Sequence, residues 1–357
     1  MQPIALSPAR HWLNTPLADE STLFPSASQD ALPWWRQAAE MGWFALALPV
    51  AWGGRGGNRA DLWALAERLG CAGGPAGAVV PALFEALVVH HYFGRADAPE
   101  DVRRALLNGA ALAAVATSEP EVGATPKHLT TRAVRAGSGW RLSGIKAPVT
   151  HGLDASVFLV LAITGEEAGR RRFSVFAVPR TAGGVSLEPL SGAMAGHARV
   201  RFDAVEVPPT ALIGQEGEAL DALARPFRLH EQAMLLAYAL GLIARLGDVL
   251  AMQPGIEPAR VGAATAPVAA LGAILAHLAR TDAADARFEA ALTGALDQLD
   301  AGQRLLLPEL KGVAAARETA AALQPVAFFL LRARPRAHDR LGRSLIRQYQ
   351  HTGSVNA

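Results

Sequence analysis

Cysteine occurs once in these 357 residues, as Cys71. A single thiol cannot close an intrachain disulfide, so no disulfide framework holds this chain, and the sequence suits a reducing compartment. Tyrosine is nearly as scarce, with three copies. Charge of one sign is also lacking: the formal net charge is +2, and no run of basic residues stands out. That argues against a basic nucleic-acid face or a membrane-surface helix. No apolar stretch reads as long enough to span a bilayer, and the opening MQPIALSPARHWLN lacks a signal-peptide core. The expectation is a soluble, cytoplasmic protein that binds neither nucleic acid nor membrane. Hydrophobic residues are plentiful at 51%, enough to bury two or three cores at this length.

Periodicity divides the chain into three blocks, 1–115, 116–220 and 221–357. The first reads as helical. Apolar residues recur at helical spacing over 28–41, with Ser28 or Asp30 as a cap, and again over 61–69 and 82–93. Between them, Trp52-Gly53-Gly54-Arg55-Gly56-Gly57 lacks the Gly-Lys-Ser/Thr of a phosphate loop and reads as a mobile turn. His90 and His91 are adjacent, so they point to different helix faces, and no partner cluster suggests a metal; they read as surface or capping residues. The middle block switches to period two, with strands over 130–135, 140–142, 157–162, 173–178, 185–190 and 198–205, and a loop over 191–197. It predicts a small antiparallel β-barrel or sandwich. The last block, rich in Ala and Leu, predicts helices over 226–250, 261–280, 282–301, 304–323 and 341–350, a bundle that packs on itself and on other subunits. The fold class is α+β, a β-domain between two helical ones.

The stretch that organises the chain runs from Val115 to Gly152. Thr117-Ser118-Glu119-Pro120 is a polar turn in which Pro120 bars helix, and Gly123 permits positive φ. Hydroxyls and free backbone N–H groups gather at strand ends here, as a planar polar cofactor requires, although such turns also occur in cofactor-free β-domains.

This stretch resembles the flavin-binding signature of the acyl-CoA dehydrogenase family, T-E-P-x-x-G-S-D followed by N-G-x-K-x-W-I-T-N-G. Here it reads Ser118-Glu119-Pro120-Glu121-Val122-Gly123-Ala124-Thr125, then Ser143-Gly144-Ile145-Lys146-Ala147-Pro148-Val149-Thr150-His151-Gly152. The segment Met41–Gly57 is similar to the family's G-W-x-G-L-x-x-P-E-x-x-G-G-x-G. The exit from the β-block, Val200–Pro209 and Leu212–Gly217, resembles V-x-F-D-x-V-x-V-P and L-G-x-E-G. The resemblance implies FAD as cofactor, an acyl-CoA or acyl-carrier thioester as substrate, and electron-transfer flavoprotein as acceptor, in lipid metabolism. It places Ser118 and Thr150 against the isoalloxazine, with Thr117 and Pro148 beside them; Pro148 stands where the family has tryptophan. It places Ala124, in lieu of the family's serine, Thr125 and Tyr238 toward substrate.

The same resemblance supplies the base that removes the substrate's α-proton. One family class carries a glutamate in Y-E-G-T-S near the C-terminus, where this chain has His351-Thr352-Gly353-Ser354, and Thr352 cannot serve. Another carries it in E-R-L-x-x-A-x-x-x-G, which Glu231–Gly241 matches without a gap. Glu231 is then the candidate base, with Met234, Leu235 and Tyr238 as an apolar helical face beside it. A solvated glutamate near a helix start is the alternative. The family's FAD-clamping segments, R-x-x-F-G and Q-x-x-G-G-x-G, fall at Arg260-Val261-Gly262 and at Gln324–Leu330, without Phe-Gly and with Phe328-Phe329 for the glycines. Three expectations stay open: an FAD-dependent acyl-thioester dehydrogenase using Glu231, an inactive structural partner in a heteromer, and a flavin monooxygenase of the same fold. A homo- or hetero-oligomer is expected in each.

Overall fold

Helix, sheet and helix follow one another along the chain, at the places where the hydrophobic period changes. The structure, a computed structural model, describes residues 31–332 except 75, 96, 191–195 and 280–285, and beyond these Pro335, His338 and Asp339. The caps expected at Ser28 and Asp30, the helix expected over 341–350 and most of the 191–197 loop lie outside the described residues. The chain divides into two units. One holds Pro81–Arg228 with the described residues before Gly57; the other holds Gly57–Val80 with those from Leu229 onward.

In the first unit, helix α1 (Ala31–Glu40) leads into Trp43 and Phe44, both buried. The glycine-rich turn that follows is pinned rather than loose. Gly54 N donates to Pro49 O, Arg55 N to Ala45 O and Gly56 N to Leu48 O, each at 2.8–3.0 Å. Helix α2 (Arg59–Cys71) belongs to the second unit, and α3 (Ala76–Val88) contributes residues to both. A π-helical turn, Val89–Phe93, extends α3. His90 and His91 lie in it half-buried and bond to the carbonyls of Ala47 (2.9 Å) and Leu223 (2.8 Å), so they tie backbone together rather than standing on the surface. Helix α4 (Glu100–Leu107) follows.

The strands are β1 (Ala113–Ala116), β2 (Arg132–Ala136), β3 (Gly139–Val149), β4 (Val157–Glu167), β5 (Arg170–Pro179), β6 (Val185–Pro189), β7 (Ala198–Val207) and β8 (Leu212–Ile213). They form one sheet in the order β6-β7-β3-β2-β4-β5-β8, with β1 paired to β4. The expected antiparallel pairing holds for β2–β3, β3–β7, β4–β5, β5–β8 and β6–β7. It fails for β1, which runs parallel to β4, and for the short β2–β4 contact, so the sheet is mixed. β1 is a continuous apolar run, as a parallel strand covered on both faces should be. β4 and β5 are buried over Val157–Ile163 and Phe173–Val178. β7 alternates, burying Ala198, Val200 and Phe202 and then, past Ala204 at φ 51°, Val205 and Val207.

The second unit is helical. Asn58 and Asp61 cap α2 reciprocally, Asn58 accepting from Ala60 N and Asp61 from Asn58 N. Helix α5 (Arg225–Ala251) crosses α2 closely within this unit: a Cβ on Gly241 would lie 2.0 Å from Glu67 O, and one on Gly70 2.2 Å from Tyr238 O. Helices α6 (Pro258–Leu278), α7 (Ala286–Glu309) and α8 (Arg317–Arg332) complete it. The break expected near residue 302 is absent. Gly302 continues α7, and the chain turns instead at Gly312, whose φ is 88°. Two helices, Leu220–Ala251 and Pro258–Leu278, are long and apolar enough to span a bilayer, contrary to expectation. The apolar window of the first is 83% buried, which makes it a core helix, whereas that of the second is only 28% buried.

Candidate flavin site

The candidate site begins where β1 ends. Past Ala116 the chain turns through a tight loop closed by two backbone bonds, Glu119 N to Gly123 O (3.0 Å) and Gly123 N to Glu119 O (2.9 Å). Gly123 has φ 60° with open space where a Cβ would be, so glycine is needed here for backbone conformation rather than for close approach. The loop is fastened to β3. Ala147 N donates to Ser118 O at 2.9 Å, and Lys146 Nζ donates to Thr117 O at 3.0 Å.

Below the loop, Lys146 also reaches Glu119 Oε1 at 3.0 Å, and both side chains are buried. Glu119 accepts further bonds from Thr130 N, Thr130 Oγ1 and Thr131 N at 2.7–2.9 Å. Burial would raise this carboxyl, but the Lys146 charge and these donors outweigh it and hold it at about 2. Burial pushes Lys146 down to about 8 against the pull of Glu119, so the pair is ionised at neutral pH. Sequence reasoning did not assign these two residues, although both stood in the quoted motifs as opposite charges.

Thr117, Ser118 and Thr150 are half-buried and Pro148 is exposed. The bonds from Lys146 and Ala147 thus bring Thr117 and Ser118 beside the end of β3, whose last residue, Val149, precedes Thr150. Thr150 Oγ1 lies 3.3 Å from His197 Nε2. The next residue, His151, is buried with φ 56°, and its Nε2 has no partner among the described residues. Burial, aided by the neighbouring His197, pushes the His151 imidazole down to about 4. Histidine in the family's asparagine position was the signal that could have marked this edge. Ala124 is exposed and Thr125 half-buried at the start of a 3-10 turn, Pro126–His128. A cleft of about 520 Å³ opens between Pro120, Val122 and His128 on one side and Arg201 and Asp203 on the other; neither Ser118 nor Thr150 lines it.

These residues fit the polar edge of a flavin ring. The Ser118 and Thr150 hydroxyls stand at the strand ends, and the buried His151 Nε2 lacks a partner among the described residues. A buried polar atom in that state costs free energy until something bonds it.

Glu231 and Tyr238 belong to the helical unit and are described within it. Glu231 is half-buried on α5, and Met234, Leu235 and Tyr238 are all buried, so the expected apolar face exists. The Tyr238 hydroxyl donates to Gly74 O at 2.6 Å, and burial raises it well above the usual phenol range, so its polar atom has a partner in the protein. Gly241, which closes the motif match with Glu231, is accounted for by the α2–α5 crossing. Thr352 and its neighbours lie outside the described residues.

The clamp segments do not fit a diphosphate. Gln324–Leu330 lies within α8, with Phe328 67% and Phe329 47% exposed. Arg332 stacks over Phe328 at 5.5 Å, and Arg260 is ion-paired with Glu309. Arg334 lies outside the described residues.

Comparison with known proteins bears on this geometry. The chain matches the acyl-CoA dehydrogenase N-terminal domain over residues 10–110 and the acyl-CoA dehydrogenase middle domain over 114–205. It is 30% identical over 196 residues to acyl-CoA dehydrogenase FadE12 of Mycobacterium tuberculosis, covering 53% of this chain and 50% of that protein. The chain spans about half the length of the curated relatives it matches. Its fold is similar to a crystal structure of a putative acyl-CoA dehydrogenase from Mycobacterium smegmatis, with a TM-score of 0.72, 19% identity, and 93% and 96% of the two chains covered. It is also similar to a chain of the ChsE4–ChsE5 complex from Mycobacterium tuberculosis, with a TM-score of 0.69, 18% identity and 87% of each chain covered. With a sheet between helical blocks and two matched domains that together span more than half of its length, the chain belongs to the acyl-CoA dehydrogenase family.

Proposed function

We propose that this chain is a subunit of an FAD-dependent acyl-thioester α,β-dehydrogenase, which holds the isoalloxazine edge with Ser118 and Thr150 and uses Glu231 as base. The observation that carries the reading is the fastened loop. The bonds of Lys146 and Ala147 to Thr117 and Ser118 set two hydroxyl-bearing residues beside the strand that leads to Thr150. Thr117 and Pro148 flank them, and Ala124 and Thr125 stand on the same loop for substrate.

Glu231 takes the α-proton of the thioester as the α C–H bond breaks. The apolar face of α5 supports this role, because a poorly hydrated carboxylate is a stronger base. FAD, when bound, supplies the two-electron acceptor for the β-hydrogen, which leaves as hydride while the α,β double bond forms. Electron-transfer flavoprotein is the acceptor class that returns the flavin to its oxidised form.

A second reading has a specific observation in its favour: α8 carries exposed Phe328 and Phe329 where a clamp is needed. In that reading the chain is a non-catalytic partner of another acyl-CoA dehydrogenase-like chain. The test is the flavin-to-chain ratio of native protein from its host, followed by anaerobic addition of acyl-CoA. Flavin that bleaches with wild type and not with Glu231→Gln, at equal flavin content, supports the first reading. Flavin that bleaches equally in both places the base in the partner and supports the second.

A further inference from the structure

We infer that His197 is a positioning residue for Thr150: its Nε2–H donates to Thr150 Oγ1, leaving the threonine's own proton to point at the flavin edge, where His151 offers a second buried nitrogen. The inference rests on the reading above that Thr150 faces the flavin.

A hydroxyl carries one hydrogen and two acceptor sites. The edge of an oxidised isoalloxazine offers only acceptors at N5 and O4, so Thr150 must donate there. It can do so only if its contact with His197, at 3.3 Å, is one in which the imidazole donates. A bare Nε2 would draw the same hydrogen away. The neutral imidazole has two tautomers, and the hydrogen bonds around it decide between them.

The surroundings of this pair are ordered by contacts around the adjoining turns. A Cβ placed on Gly196 would lie 3.3 Å from Asp154 Oδ2 and 3.8 Å from His151 Nδ1, so the Asp154 carboxyl and the His151 imidazole converge on the turn that precedes His197. Arg180 donates to Leu153 O from β5 and its following turn, fixing the same turn from the other side. The Phe84 ring stands 6.1 Å from His151, which leaves that ring against apolar surface. Burial keeps His151 neutral above about pH 4, so it can donate or accept but adds no charge at neutral pH. Its left-handed backbone, at φ 56°, is held by bonds from Asp154 N (3.0 Å) and Ala155 N (2.9 Å) to its carbonyl. A buried nitrogen with no partner among the described residues, on such a backbone, is a place where a polar ligand would be bonded.

Two measurements on the full chain test this. In ¹⁵N-histidine spectra of the protein without flavin, His197 should carry its hydrogen on Nε2, and Thr150→Val should move that resonance while leaving the fold intact. In FAD titrations of the chain co-expressed with an acyl-CoA dehydrogenase-like partner that supplies the clamp, His197→Leu should weaken binding about tenfold, as losing one well-placed hydrogen bond implies, and shift the visible flavin band. His197→Gln, which keeps an amide donor at similar reach, should recover most of both. A bare Nε2 in the spectrum, or a leucine variant with wild-type affinity and band position, would overturn the inference. A wild-type chain that takes up no FAD, alone or with a partner chain, would overturn the flavin reading and the cofactor half of this inference. The ¹⁵N spectrum would then still decide the direction of the Thr150–His197 bond.

Discussion

Glu119 and Lys146 meet at 3.0 Å with side chains 4% and 0% exposed, and through them the loop bearing Ser118 is locked to β3, the strand that leads into Thr150. An ion pair this deep is weak support for net stability, because desolvation offsets most of its attraction. Breaking it from one side is another matter. Lys146→Met should destabilise the protein by about 3–5 kcal/mol, since it strands a buried carboxylate. The double variant Glu119→Leu/Lys146→Met should lose less than Lys146→Met alone, and urea unfolding of the three proteins measures the difference. Acid adds a second check. The Glu119 carboxyl is depressed in the folded state, so its contribution is present above about pH 4.5 and is lost as pH falls through about 2. Glu119→Gln should flatten that part of the stability curve.

Much of this arrangement was legible in the sequence. The change from helical to period-two spacing, read at residue 116 and back at residue 220, follows from alternate burial on a sheet and on helices; the first strand begins at Ala113 and helix resumes at Leu220. The loop was legible because Pro120 and Gly123 admit few backbone conformations. What could not be read was partnership across the chain. β1 is an apolar run, and nothing in its composition says that it lies parallel to β4. Likewise His197 lies 47 positions from Thr150, so only the β3–β7 pairing brings them together. The missing break at Gly302 has a local cause: one glycine costs a helix interior only about 1 kcal/mol, less than the packing of Leu299 and Leu306 on either side.

Glu85 provides a pH-dependent prediction of opposite sign. It is fully buried on α3, and both its oxygens face the single donor Ala113 N at 3.2 Å. Burial raises this carboxyl well above its ordinary value, beyond what the Ala113 amide can offset. Its neutral form is therefore the stable one, and stability present below about pH 4.5 is lost as pH rises toward the folded value. Glu85→Gln keeps the shape without the proton equilibrium. Its stability relative to wild type should improve as pH increases from 5 to 8, as followed by denaturation midpoints; a difference that does not change with pH would contradict this.

Gly241 separates a packing role from a catalytic one within the same motif. A Cβ there would meet Glu67 O at 2.0 Å and Cys71 N at 2.6 Å, both backbone atoms that cannot move aside cheaply. Gly241→Ala should lower stability by about 1–3 kcal/mol through overpacking, whether or not flavin is present. Glu231→Gln should leave thermal unfolding near wild type and remove only the reaction with acyl-CoA. If both variants lost stability alike, Glu231 would be a structural residue and the base would have to be sought elsewhere.

Assembly supplies the last prediction, a heteromer. In the proposed function Ser118 and Thr150 hold the isoalloxazine edge, but the segment expected to clamp a neighbour's diphosphate is helix α8 with Phe328 and Phe329 exposed. A diphosphate against those rings would lose water and gain no donor, at a cost of several kcal/mol. Arg260 is no ready substitute, because its guanidinium is engaged by Glu309. Helix α6 adds an argument from area: its apolar window is 28% buried, and monomers seldom leave such a surface in water. The chain expressed alone should therefore bind FAD weakly or not at all. Co-expression with an acyl-CoA dehydrogenase-like chain carrying R-x-x-F-G and Q-x-x-G-G-x-G should restore about one FAD per pair, since each site is then built from two unlike surfaces. Sizing and flavin quantitation of the purified complex measure both quantities. Arg260→Ala should leave that stoichiometry unchanged if the partner supplies the clamp. A homodimer with one tightly held FAD per chain, lost on Arg260→Ala or Arg332→Ala, would instead show that these arginines rearrange into a clamp of their own.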